Sequence, residues 1–121
     1  MIMELQYSDI LKLSRNTNDN VDLIKRLIEV FTKTTTTELS IIKEFLKYSP
    51  NPDYAKLEPH FHKMKSGLSY IATDDFLEEY LAFYNDFVNK RYDVVKQKIP
   101  VIIEKLQGLV EELHYLDFTN A

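Results

Sequence analysis

The chain has 121 residues, no cysteine and a net charge of −4. This length suits one domain, residues 1–121, with a core of its own. The lack of cysteine excludes disulfides and thiolate metal sites, and the acidic balance argues against nucleic acid as the main partner. No apolar run approaches the roughly 18 residues of a membrane span, and the opening MIMELQ does not resemble a signal peptide. We therefore expect a cytoplasmic protein that does not interact with membranes.

The first half of the chain predicts a short helix followed by a long one. Ser8 is a candidate N-cap for a helix that reaches about Leu13, and residues 14–20 form a polar turn. Asn20 at the end of that turn is a good N-cap for the long second helix. Four threonines at 34–37 have poor helix propensity, so we expect a strained middle or bend there, with a break into two helices as the alternative.

The second half predicts three more helices. Asp53 is the expected cap of the helix that contains His62, and Pro59 is expected in its second turn, where it would bend the helix. Thr73 and the aspartates after it are expected to cap the fourth helix. The last helix has a long apolar stripe that Pro100 interrupts, which predicts a kink or a loosened turn near Gln97. The predicted fold is all-α, an antiparallel four-helix bundle with a short N-terminal helix that caps one end.

The segment HKMKSGLSYIA, residues 62–72, is the most informative part of the sequence. It lies in a helix whose apolar positions recur in steps of four and three, which makes one continuous stripe. That stripe consists of Leu57, Phe61, Met64, Leu68 and Ile71. His62 lies off the stripe, so its imidazole is expected to face solvent and to be available for chemistry.

Two charged residues lie one helical turn from His62 on the same face. Glu58 could accept the N–H of one ring nitrogen and leave the other nitrogen free to react, although it could also be an ordinary solvated charge. Lys65 could offset the charge of a phosphoryl group on the histidine. On spacing alone, His62 could equally be an ordinary surface histidine.

The residues after Lys65 are small. Ser66 and Ser69 keep the face low, and Gly67 in mid-helix costs about 1 kcal/mol relative to alanine, which indicates close approach of a neighbouring helix or of a docking partner. His60 and His62 point about 200° apart on a helix, so they cannot share a metal ion. We therefore expect no metal or other cofactor in this chain.

The segment resembles the signature of histidine-containing phosphotransfer (HPt) domains. In that signature a histidine is followed by a lysine three positions later, then by small residues. His62, Lys65, Gly67 and Ser69 fit it, as do Ile71 and Ala72, although the signature commonly has glycine at the positions of Ser66 and Ala72. The similarity extends over nearly the whole chain.

The resemblance implies that the protein is a phosphocarrier rather than an enzyme. His62 would be the phosphoacceptor, Lys65 would stabilise the phosphate, and a docking face would include Glu58, Ser66, Gly67 and Ser69. The implied partners are a response-regulator receiver domain, which would supply Mg²⁺, and a hybrid or sensor histidine kinase. The protein itself would be a monomer in a two-component phosphorelay.

Two other functions are compatible with parts of the sequence. The first is an HPt-like module that docks receiver domains or other signalling partners without carrying phosphate. The second is the dimerisation half of a histidine kinase, which usually has an acidic residue after its histidine, whereas Lys63 follows here. The chain also has no glycine-rich nucleotide loop and no other catalytic motif, which argues against the kinase.

Overall fold

The computed structural model describes residues 6–116, which form an all-α fold. Residues 1–5, which make up most of the opening segment MIMELQ, lie outside the described residues, so the prediction about a signal peptide falls there. The helices are α1 Ile10–Asn16, α2 Val21–Tyr48, α3 Glu58–Ile71, α4 Asp74–Val88 and α5 Tyr92–Tyr115, with a 3₁₀ helix at Tyr54–Leu57 directly before α3. None of these helices is long and apolar enough to cross a membrane.

The four long helices close into a bundle. α2 packs against α3 and α5, and α4 packs against the same two helices, so each helix has two neighbours around one core. The largest fully buried side chains come from all four long helices and include Ile42, Phe61, Leu68, Tyr80, Phe83 and Leu106. The short connections make sequential helices antiparallel, which confirms the predicted four-helix bundle.

The short helix α1 packs against α3 and α2, as expected for a cap on the bundle, but its ends differ from the prediction. Asp9, and not Ser8, is the N-cap, since its carboxylate accepts the backbone N–H of Lys12 at 3.0 Å. Ser8 instead donates its hydroxyl to the buried Glu112 at 2.7 Å. The helix continues to Asn16, so residues 14–16, which were predicted as part of the polar turn, are helical.

The long helix α2 is continuous. Asn20 is its N-cap, as predicted, and accepts the N–H of Leu23 at 3.1 Å. The helix runs through the four threonines, so the alternative of a break there is wrong. Thr35 in the middle of this run is fully buried against the core. Tertiary packing of this face therefore outweighs the weak local propensity.

The start of α3 differs from the prediction in one respect. Asp53 caps the 3₁₀ turn, and α3 itself begins only at Glu58. Pro59 therefore lies in the first turn of α3 and not in the second. The first N–H groups of a helix have no partner within the helix, so a proline in the first turn breaks no hydrogen bond. The bend that was expected at Pro59 therefore has no cause.

The two remaining connections are short. Thr73 caps α4 as predicted and accepts the N–H of Phe76 at 3.2 Å. Near the end of α4, Asp86 accepts hydrogen bonds from Lys98 on α5 at 2.8 Å and from Arg91, directly before α5, at 3.1 Å. These two cations hold the pKa of the Asp86 carboxyl below its ordinary value. α5 remains helical through Pro100.

Candidate functional site

The orientation of His62 follows from its neighbour in the sequence. Phe61 is fully buried and packs against the rings of Tyr80, Phe83 and Phe87 on α4. Tyr80 also donates its hydroxyl to the carbonyl oxygen of Phe61 at 2.6 Å. These contacts set the rotation of α3, and His62, about 100° further around the helix, is exposed as predicted.

The ring of His62 is held by a residue that the sequence analysis did not assign to the site. The Nδ1 atom of His62 lies 3.0 Å from the hydroxyl oxygen of Tyr84 on α4. That hydroxyl donates a hydrogen bond to the carboxylate of Glu58. Glu58 therefore contacts His62 only through Tyr84. The expected direct hydrogen bond from the ring N–H of His62 to Glu58 is not present. Glu58 is not among the residues that line the groove beside His62, and its place on a docking face stays a prediction.

Tyr84 remains a neutral phenol at physiological pH. Burial of the side chain, the hydrogen bond to Glu58 and the charge of that carboxylate raise the pKa of Tyr84 to about 12. The hydroxyl therefore keeps its single proton and can both donate one hydrogen bond and accept others.

Lys65 also contacts Tyr84. Its Nζ lies 4.7 Å from the centre of the Tyr84 ring, over the face, which is a cation–π arrangement. The side chain is half-buried, because its stem covers part of this ring. Lys65 and His62 thus both contact Tyr84 and line the same groove, on the side expected from their spacing in the helix.

A groove between α3 and α4 opens beside these residues. Its volume is about 520 Å³. The α3 wall includes His62, Lys65, Ser66 and Ser69, as the sequence predicts, together with Lys63. The α4 wall consists of Leu77 and Leu81, which were not among the predicted site residues. The groove thus combines two cations with an apolar wall.

The two serines are exposed, and their small side chains leave the groove open. The hydroxyl of Ser69 donates to the carbonyl oxygen of Ser66 at 2.5 Å. Because this bond turns the Ser69 side chain back onto its own helix, neither serine obstructs access to His62.

Gly67 is not on this face. A Cβ added to Gly67 would lie 2.5 Å from the ring of Phe31 on α2. Of the two alternatives that the sequence left open, close approach of a neighbouring helix is therefore the one that the geometry supports. Gly67 faces Phe31 of α2 and does not line the groove beside His62, so its position is explained by helix packing rather than by docking.

We predict that Gly67→Ala destabilises the protein without impairing the chemistry of His62. The change gains helix propensity but forces the buried Phe31 ring to move, and we expect a net loss of about 1 kcal/mol in the free energy of unfolding. Chemical denaturation measures this loss, with Ser66→Ala on the exposed face as the control. A more stable Gly67→Ala variant would show that α2 and α3 can separate there at no cost.

His60 belongs to a different cluster from His62. Its Nδ1 lies 2.5 Å from the buried carboxylate of Glu38 on α2, and the Nζ of Lys63 lies 3.4 Å from the same carboxylate. Lys63 is thus partly paired with Glu38, although it also lines the groove beside His62. Within residues 6–116, no group of three or more histidine, cysteine or acidic side chains could hold a metal ion.

Tyr84 is the main functional residue that sequence reasoning missed. It lies 22 positions after His62, on the buried face of α4. A signal was available, since a tyrosine on a buried stripe requires a hydrogen-bond partner for its hydroxyl. Periodicity within α4 cannot identify that partner, because the partner lies on another helix.

No family model, curated protein or solved structure matches the chain. What the described residues define is an all-α bundle with an exposed, hydrogen-bonded histidine at the edge of a cationic groove. Evidence for a function therefore comes from the geometry of this site and from the resemblance of its sequence to a known signature.

Proposed function

We propose that the protein is a histidine phosphocarrier of the HPt family, which shuttles a phosphoryl group between receiver-domain aspartates in a two-component phosphorelay. The observation that supports this most strongly is the environment of His62. Its imidazole is exposed, one ring nitrogen is already hydrogen-bonded, and an open groove with a lysine lies beside it. A nucleophile in group transfer needs this combination of access and orientation.

The charges of the groove suit a phosphorylated acidic partner. Lys65 and Lys63 line it and can interact with the phosphoryl oxygens and with acidic side chains of a docked receiver. Leu77 and Leu81 offer the apolar surface that an interface also needs. The partner would supply Mg²⁺ next to its phosphorylated aspartate, as hard cations prefer carboxylate and phosphate oxygens.

In this proposal the protein itself is a phosphorylated intermediate and not an enzyme. The donor would be a hybrid or sensor histidine kinase, or its receiver domain, and the acceptor would be a second receiver. We propose a monomeric, cytoplasmic carrier with one transfer site, so that donor and acceptor dock in turn on the same groove.

Incubation with phosphorylated receiver domains tests the proposal. We expect a phosphate on this protein that is labile in acid and stable in base, since phosphohistidine is a phosphoramidate. If receivers bind but no phosphate is transferred, the protein is a docking module of the same fold. If receivers neither bind nor transfer phosphate, the phosphorelay assignment is wrong.

Lys65 is expected to affect the rate of transfer. Loss of its ammonium leaves the phosphoryl group less stabilised in the transition state, so Lys65→Ala should slow single-turnover transfer roughly tenfold, or about 1.4 kcal/mol in the barrier. Lys65→Arg should retain more activity than Lys65→Ala. Lys43→Ala, in the groove between α2 and α5, is the matched control. Equal rates for Lys65→Ala and the wild type would make Lys65 an ordinary surface charge.

A further inference from the structure

Tyr84 contacts both residues that we assign to phosphotransfer. Its hydroxyl lies next to Nδ1 of His62, and its ring lies under the ammonium group of Lys65. Its hydroxyl is also held by the carboxylate of Glu58, from the first turn of α3. Tyr84 therefore links the beginning of α3 to the reactive histidine through a chain of two hydrogen bonds.

We infer that Tyr84 is a positioning residue that, with Glu58, holds His62 in the tautomer protonated at Nδ1 and thereby leaves Nε2 as the reactive nitrogen. The inference of the tautomer depends only on the hydrogen bonds. Its consequence for phosphotransfer rests on the proposed function.

The direction of the two hydrogen bonds determines the tautomer. A phenol has one proton, and an ionised carboxylate can only accept, so the proton of Tyr84 points towards Glu58. The contact between Tyr84 and His62 can then be a hydrogen bond only if Nδ1–H donates to the phenol oxygen. The second ring nitrogen, Nε2, consequently carries the lone pair.

This arrangement fits the needs of group transfer from an aspartyl phosphate. The lone pair of Nε2 forms a bond to phosphorus, the bond between phosphorus and the aspartate oxygen breaks, and the carboxylate leaves with that electron pair. The proton on Nδ1 stays in place, so the phosphorylated ring is an imidazolium. Tyr84 accepts a hydrogen bond from this cation, and the charge of Glu58 stabilises it through the phenol. The reverse transfer returns the same electron pair to Nε2.

Two variants distinguish the contribution of the Tyr84 hydroxyl from that of the Glu58 carboxylate. Tyr84→Phe keeps the ring that packs in the bundle and supports Lys65 but removes the acceptor of Nδ1–H. Glu58→Ala leaves the hydroxyl free to rotate and donate to Nδ1, which favours the opposite tautomer. Glu58 is half-buried at the surface of the first turn of α3, so both variants should fold. Tyr115→Phe, at an exposed tyrosine, is the matched control.

The tautomer is read from the ¹⁵N chemical shifts of the His62 ring, at a pH at which the imidazole is neutral. We expect protonated Nδ1 in the wild type and in Tyr115→Phe, a mixture in Tyr84→Phe, and mainly protonated Nε2 in Glu58→Ala. A wild-type ring protonated at Nε2, or an unchanged tautomer in both variants, would overturn the inference.

Single-turnover transfer from a phosphorylated receiver gives the second readout. We expect Tyr84→Phe and Glu58→Ala each to slow transfer about tenfold, because a charge-assisted hydrogen bond to the imidazolium is lost or reversed. Wild-type rates in both variants would overturn the role in transfer. If the wild type accepts no phosphate while the tautomers behave as expected, the proposed function fails and the positioning of His62 by Tyr84 stands.

Discussion

His62→Gln is expected to fold like the wild type and to accept no phosphate. His62 is exposed, so its replacement removes little packing, and a glutamine can occupy the same space near Tyr84. Glutamine has no nucleophilic ring nitrogen, so the loss of labelling should be complete rather than partial. The measurement is the incorporation of acid-labile phosphate from a phosphorylated receiver, alongside a thermal melt of the same sample.

Two other histidines provide controls for this experiment. His114 lies in the groove between α2 and α5, away from the groove beside His62, and His114→Gln should accept phosphate at the wild-type rate. His60→Gln should also accept phosphate, although it loses the hydrogen bond to Glu38 and is expected to be less stable. If His62→Gln still accepts phosphate and His60→Gln does not, the phosphoacceptor is His60.

Ser69→Arg is expected to block transfer while leaving stability nearly unchanged. The groove beside His62 has a volume of about 520 Å³, and a long side chain at position 69 would occupy the space that a docked receiver needs. A displacement of about 1 Å at a reacting centre can slow a reaction a hundredfold, and we expect at least about that loss here. Ser66→Trp should have the same effect from the adjacent turn. Both serines are exposed, so changes in unfolding free energy should stay within about 0.5 kcal/mol.

Ser40→Arg is the matched control for the blocking variants. Ser40 is exposed on α2 and lines the groove between α2 and α5, so the same substitution there changes the charge without touching the groove beside His62. It should transfer at the wild-type rate. If Ser69→Arg and Ser66→Trp both remain active, the partner docks on another face. The small side chains around His62 are then not needed to make room for a docked receiver.

Much of the fold could be predicted from local sequence. The apolar stripes require amphipathic helices, and Asn20 and Thr73 have the side chains that cap a helix wherever a preceding turn places them. Errors occurred where a tertiary contact competes with a local preference. Ser8 is a good N-cap by type, but Glu112 from α5 binds its hydroxyl, and Asp9 becomes the cap.

The candidate site divides in the same way. His62, Lys65, Ser66 and Ser69 could be identified together because they lie within two turns of one helix, where spacing alone determines which side chains share a face. The roles of Glu58 and Gly67 depend on neighbours that spacing cannot reveal. Glu58 is bound by Tyr84 from α4, and Gly67 accommodates Phe31 from α2.

The sequence by itself determined that the chain is helical and that His62 faces solvent on the same side as Lys65. Only the tertiary structure decided which nitrogen of His62 is held, because the packing of α3 against α4 brings Tyr84 within 3.0 Å of Nδ1. The physical reason is the range of the interactions. Helical periodicity and capping act over a few residues, whereas the hydrogen bonds that orient the imidazole join residues 22 and 26 positions apart.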